Sequence, residues 1–284
     1  MLKAKPAAAK SAPVKPKPVK FSGPLVIAKQ GFFFVGGQYT QSKDGQIMVG
    51  QMFVQFQIPQ ARKHKYPIIM IHGGGQTGTN FLGTPDGQPG WAEYFLRQGY
   101  TVYVVDQPGR ARSGYFTDAY GPTRRPNASA MSERFTLPEN SNLYPQAKLH
   151  TQWPGKGVAG DPVYDQFFAS QVEDMQNLTM LEDLNRNAVS ALLDKIGPSI
   201  LLTHSQSGPF GWGIADLRPK LVKAVCDLCT KQQFTQARQA QENIAELAHV
   251  LKLAGFGGLK AALKAMGRDC GRPRPPVRGP CRHG

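Results

Sequence analysis

Residues 201–213, LLTHSQSGPFGWG, pass from an apolar strand pattern through a hydroxyl set between polar neighbours into a glycine-rich stretch. Ser205 at that junction is either an ordinary turn serine or a nucleophile, and the choice decides how the rest of the chain is organised. A serine hydroxyl attacks carbonyl carbon poorly unless a base takes its proton and donors stabilise the oxyanion that forms. A sharp strand-to-helix turn supplies such a setting, because it holds Oγ above the sheet and aims the next backbone N–H at the developing charge. Strand and helix approach closely there, so small residues are needed two positions either side. Thr203 and Ser207 occupy those places, followed by Gly208. PSILLT (198–203) is the predicted strand, a glycine-containing helix follows to about Leu217, and KLVKAV (220–225) reads as the next strand.

The same rhythm runs upstream. PIIMI (67–71) is a continuous apolar run of the kind a sheet buries on both faces, and it ends in His72-Gly73-Gly74-Gly75. A helix is predicted next, with Trp91, Tyr94 and Phe95 at helical spacing and Gly99 placed to stop it. TVYVVD (101–106) is a second buried strand and enters QPGRARSG, so strand, helix and strand form a βαβ unit with a parallel sheet. Ahead of it, PLVIAKQGFFFVGGQYT and IMVGQMFVQFQIP flank a Lys43-Asp44-Gly45 turn and read as an antiparallel meander. Met52, Val54, Phe56 and Ile58 alternate with Gln55 and Gln57, as one buried sheet face requires. From about Gly114 to Gln176 no periodicity stands out, while aromatic residues are frequent; a structureless loop of that length is read as a lid. Residues 179–197 then place Met180, Leu184, Val189, Leu192 and Leu193 on one helical stripe, with Thr179 near the N-cap and Gly197 at the end.

The 284 residues carry a formal net charge of +15, which on its own suggests nucleic acid or an acidic membrane surface. The charge is unevenly placed. Residues 1–20 hold six Lys and no acid, and residues 226–284 hold ten Lys or Arg against four acids, which leaves +3 for residues 21–225. Aromatic stacking residues are nearly absent from the two basic ends, which argues against nucleic-acid binding. No stretch approaches the roughly 20 apolar residues that span a bilayer. The first twenty residues lack the apolar segment of an export signal, so a cytoplasmic location is the default expectation, and as Ala/Lys/Pro repeats they read as disordered. Asn127-Ala-Ser and Asn177-Leu-Thr would matter as glycosylation sequons only in a secretory lumen. Cys226, Cys229, Cys270 and Cys281 all fall in the last fifth of the chain; a zinc site could be built on Cys226-x-x-Cys229, but ten residues separate Cys270 from Cys281, which is not a finger-like spacing, so no metal or cofactor is expected.

Three turns, each directly after a predicted strand, carry a resemblance to the α/β-hydrolase superfamily and its lid-bearing serine carboxylesterases. The family's G-x-S-x-G elbow corresponds to Thr203-His204-Ser205-Gln206-Ser207, with both glycines replaced by small residues. Its oxyanion loop is His72-Gly73-Gly74-Gly75, and its D-x-x-G-x-G-x-S turn is similar to Asp106 through Ser113 with Ala111 in place of one glycine. The resemblance covers about residues 24–225. It implies Ser205 as nucleophile, backbone donors from Gly73, Gly74 and Gln206, and hydrolysis of small-molecule carboxylic esters without a cofactor. His204 precedes Ser205 directly and faces the opposite side, so it is rejected as the base. His72 is read as a loop-packing residue, and Arg110 and Arg112 as solvated; Gly73 to Gly75 as a plain turn remains an alternative.

Beyond Val225 the resemblance ends. The family requires two further strands, an acid and a histidine, whereas VKAVCDLCTK offers Asp227 as the nearest carboxylate and places Cys229 near the acid's position. The later histidines are His249, within an amphipathic helical pattern, and His283 near the end; His249 is the candidate base. We therefore expect an α/β fold with a mostly parallel sheet, an N-terminal antiparallel meander and a lid insertion, its C-terminal strands missing and the family sequence interrupted near Val225. The expected organisation is a basic tail at 1–22, a hydrolase core at 23–228 with the lid at about 114–176, and an atypical tail at 229–284. The alternative is a catalytically inactive, truncated protein that keeps the scaffold. Substrate identity and oligomeric state are not legible.

Overall fold

A computed structural model describes residues 21–150 and 152–210. The predicted strand to Val225, the helices and cysteines that follow it, Asp227, His249, and the N-terminal tail through residue 20 lie outside the described residues.

The alternating apolar pattern and the turn at residues 43–44 give two long antiparallel strands, β1 (Ile27–Ser42) and β2 (Gly45–Pro59). The apolar run at 68–71 is β3 (Ile68–Ile71), buried at every position. Helix α1 (Trp91–Arg97) connects it to β4 (Val102–Asp106), and β3 and β4 pair in parallel. Gly99, with φ +90°, sits just past the end of α1. Trp91 and Tyr94 are exposed, however, and α1 faces the sheet through Ala92 and Leu96. Phe95, the third aromatic of that spacing, is partly buried and packs against the same cluster.

Residues 114–176 are not structureless. They hold α2 (Thr117–Tyr120), β5 (Thr123–Arg124), α3 (Ala128–Met131), α4 (Pro162–Ala169) and β6 (Asp174–Met175), with short helical turns between. Their aromatics mostly pack on one another: Trp153 and Tyr164 both contact Phe167, and Tyr115 contacts Tyr120. Elements this short leave no helical or strand period to read. The antiparallel pair β5 and β6 brings the two ends of the insertion together.

Helix α5 (Leu178–Ile196) is capped by Asn177, whose side chain accepts from the Met180 amide, rather than by Thr179. Asn127 caps α3 in the same way through Ala130, so both sequon asparagines serve as caps in the fold. Gly197, at φ +84°, ends α5, and β7 (Ile200–Thr203) then pairs in parallel with β3.

The sheet order is β1-β2-β4-β3-β7. It is a mixed sheet, with antiparallel pairing among β1, β2 and β4 and parallel pairing among β4, β3 and β7. Side chains alternate across it. Val54, Ile69, Ile71 and Val105 meet Leu181, Val189, Leu192 and Leu193 of α5, while Ile68, Met70, Val102 and Val104 meet Ala92 and Leu96 of α1 on the other face. Each such side chain contributes roughly 1.5–3 kcal/mol when fully buried, so the central strands are fixed from both sides.

Because β3, β4 and β7 are parallel neighbours in register, with Ile71 beside both Val105 and Thr203, the turns after all three leave the same edge of the sheet. In open α/β sheets that carboxyl edge is where ligands bind. The turn after β4 is stitched to β2: Ser113 Oγ donates to Asp106 O at 2.6 Å and accepts from Phe53 N at 2.9 Å. Ala111 in this turn has φ +42°. The left-handed region costs a β-carbon about 1–2 kcal/mol, against about 0.5–1 kcal/mol for glycine's extra chain entropy. Ala111→Gly is expected to raise the urea midpoint, by up to about 1 kcal/mol in stability with an unchanged m-value.

Candidate active site

The turn after β7 places Ser205 in the left-handed region, at φ +55°, immediately after the extended His204. A β-branched or bulky residue is an outlier there, and holding any non-glycine residue in that region costs of order 1–3 kcal/mol. Ser205 is exposed, whereas Ser207, at the second small position, is buried. Ser207 Oγ donates to Ile71 O at 2.8 Å and accepts from His204 N at 2.8 Å, so a hydroxyl replaces what a glycine would leave open and ties the elbow to β3.

The glycine loop after β3 lies against this elbow. A β-carbon on Gly73 would stand 3.0 Å from His204 Nδ1 and 3.1 Å from Ser205 Cβ, and one on Gly74 would stand 3.4 Å from the Gln206 side chain. A side chain at position 73 would press on His204 and Ser205 and be tolerated only if they gave way by a few tenths of an ångström. Distant segments of sequence therefore bring Gly73, Gly74, Ser205 and Gln206 together.

Below the loop lies a layer of buried polar side chains. His72 Nε2 accepts from Gln107 N at 3.1 Å, so its proton resides on Nδ1, which donates to Gly73 O at 2.9 Å. Burial, reinforced by the Arg110 cation, pushes the His72 pKa down to about 3, so the ring is neutral. Gln107 Nε2 donates to His72 O at 2.6 Å, and Asn185 on α5 donates to Gln107 Oε1 at 3.3 Å. Arg110, read from sequence as solvated, is 1% exposed: Nη1 donates to Gln76 O at 3.0 Å and to Gly73 O at 3.4 Å, and Nη2 lies 3.5 Å from Asp174. Arg112 is likewise paired, with Asp106 at 2.6 Å, while its guanidinium covers the Phe53 ring.

Asp174, in the neck of the insertion, is the hub of the charge layer. Its carboxylate accepts from Gly75 N at 3.2 Å, from Gln206 Nε2 at 3.4 Å and from Arg124 Nη2 at 2.9 Å. Burial favours the protonated acid, but the Arg124 hydrogen bond and the Arg110 charge outweigh it and hold the carboxyl below its ordinary range. Burial lowers Arg110 to about 10, a change that Asp174 opposes.

Asp174, Gln107 and Asn185 were missed as site residues. Asn185 had a readable signal: it lies four residues from Leu181 on the apolar stripe of α5, where a polar group needs a buried partner. Asp174 had none, since its partners Gly75, Arg110, Arg124 and Gln206 come from four separate segments. His204 contacts Gln76 through Nδ1 at 3.1 Å. His64 stacks on Tyr100, and His150 pairs with Glu139 inside the insertion. Among the described residues there is no cluster of three or more metal-ligating side chains and no helix long and apolar enough to cross a membrane.

No family model matches the chain. A curated relative, described as a probable secreted lipase, phiG, from a fungal species (strain ATCC 74256), is 48% identical over 197 residues, which is 69% of this chain and 51% of the relative. The chain thus spans about half the length of that relative. A solved structure of a bacterial esterase superposes with a TM-score of 0.52 at 31% identity, covering 73% of this chain and 69% of that one. A mixed sheet with helices on both faces, three turns on one carboxyl edge and these two relatives agree: the chain belongs to the esterase and lipase group of the α/β-hydrolase superfamily.

Proposed function

We propose that this protein hydrolyses small-molecule carboxylic esters, with Ser205 as nucleophile and the amides of Gly73, Gly74 and Gln206 as oxyanion donors. The observation that carries the reading is the left-handed backbone of an exposed Ser205 with a glycine loop packed tightly against it. In this mechanism Ser205 Oγ bonds to the acyl carbon as its proton passes to a base, and the carbonyl electron pair moves onto an oxygen facing the amides. Collapse expels the alcohol, which takes the proton, and water repeats the sequence to release the acid. His249 as base and Asp227 as acid, the sequence's candidates, lie outside the described residues. The described histidines have other work: His72 is buried, and its two ring nitrogens are engaged by Gly73 O and Gln107 N.

A fluorophosphonate tests this on the full chain, because the probe reports nucleophile, donors and base together. Stoichiometric labelling of the wild type, reduced to background in Ser205→Ala, is the expected outcome. A folded wild type that takes no label would instead identify the inactive scaffold.

A further inference from the structure

We propose that Gln107 and Arg110, from the turn after β4, are positioning residues that aim the Gly73 and Gly74 amides at the oxyanion; this rests on the reading of those amides as donors. A trans peptide is planar, so the carbonyl of one residue and the N–H of the next point in opposite directions. Holding a carbonyl from below therefore directs the following N–H upward. Gln107 Nε2 holds His72 O at 2.6 Å, which fixes the Gly73 N–H. Arg110 Nη1, at 3.4 Å, joins the His72 ring at 2.9 Å on Gly73 O, which fixes the Gly74 N–H. Arg110 also holds Gln76 O, and Asp174 takes the Gly75 N–H, so the loop is pinned on both sides of the two amides. Among the described residues, no acceptor takes the Gly73 or Gly74 N–H, and both glycines face the elbow.

The holders are themselves rigid. Gln107 is fully buried and anchored by Asn185, while Arg110 is anchored by Asp174. The motif after β4 thus has a chemical reason to follow its strand beside β3: it delivers two side-chain donors beneath the glycine loop.

The test measures kinact and KI separately for a fluorophosphonate on the full chain, since misaimed donors weaken the charged transition state and leave probe binding alone. Removing an oxyanion donor outright costs about 10²–10³ in rate, so Gln107→Met, which only frees the peptide to turn, is expected to lower kinact about 10- to 100-fold with KI within about twofold. Arg110→Met should behave alike, with Arg110→Lys recovering much of the loss by keeping a donor. Should Arg110→Met fail to fold, Gln107→Met still decides. Ser113→Ala removes a buried hydroxyl from the same turn without touching the loop, and it should lose stability at an unchanged kinact. A folded Gln107→Met labelled at the wild-type rate, or altered in KI alone, overturns the positioning role while leaving Ser205 as nucleophile intact. Absence of labelling in the wild type removes both readings.

Discussion

Asp174→Asn is expected to lower the free energy of unfolding by about 3–5 kcal/mol, the range found when one partner of a buried ion pair is removed. The substitution keeps the size and a carbonyl oxygen that can still receive the Gly75 N–H. What it removes is the charge opposite Arg110, whose side chain is 1% exposed and cannot rotate into water. Arg124 is half exposed and recovers its hydration, so the loss falls on Arg110. Domains of this kind are stable by only about 5–15 kcal/mol, so the effect should be plain in urea denaturation. Combining Asp174→Asn with Arg110→Met should cost less than the sum of the two single changes by about 1–3 kcal/mol, because the second change deletes the stranded cation. If Asp174→Asn alone stays within about 1 kcal/mol of wild type, the carboxylate is not what compensates Arg110.

Much of the fold was legible because the β-strands and α5 obey simple periods. Continuous apolar runs marked β3 and β4, alternation about Gln55 and Gln57 marked β2, and Gly197 marked the end of α5. The three turns at the carboxyl edge were legible as motifs, and parallel pairing brings them together without any long-range signal. The aromatic spacing marked α1 but did not tell its buried side, where Ala92 and Leu96 face the sheet while the larger Trp91 and Tyr94 stay exposed. Arg110 was read as solvated and is buried, whereas Arg112 is exposed although paired with Asp106. A charged residue in a turn reads as solvated until its counter-ion is known, and for Arg110 that is Asp174, 64 positions away in a segment without periodicity. The insertion resisted reading because its ordered elements run two to eight residues, shorter than the windows in which a period can be recognised.

His72 makes the second large effect one of pH. Its pKa falls from 6.5 to about 3 because burial disfavours the cation and Arg110 repels it, an effect only partly offset by the Gly73 carbonyl and Asp106. Between those values the unfolded chain binds a proton that the native ring refuses, so stability present above pH 6.5 is lost as pH falls, at up to about 1.4 kcal/mol per unit. By pH 4.5 the accumulated loss should approach about 3 kcal/mol. The carboxylates held below their ordinary range, Glu173, Asp174 and Asp161, add their own loss from about pH 5 downward. Urea midpoints measured from pH 6.5 to 4.5 should fall steadily in the wild type and less steeply in His72→Asn, which cannot bind the extra proton; parallel slopes in the two proteins would assign the acid sensitivity elsewhere. A proton on Nε2 would also displace the Gln107 N–H, and with it the Gln107 grip on the His72 carbonyl.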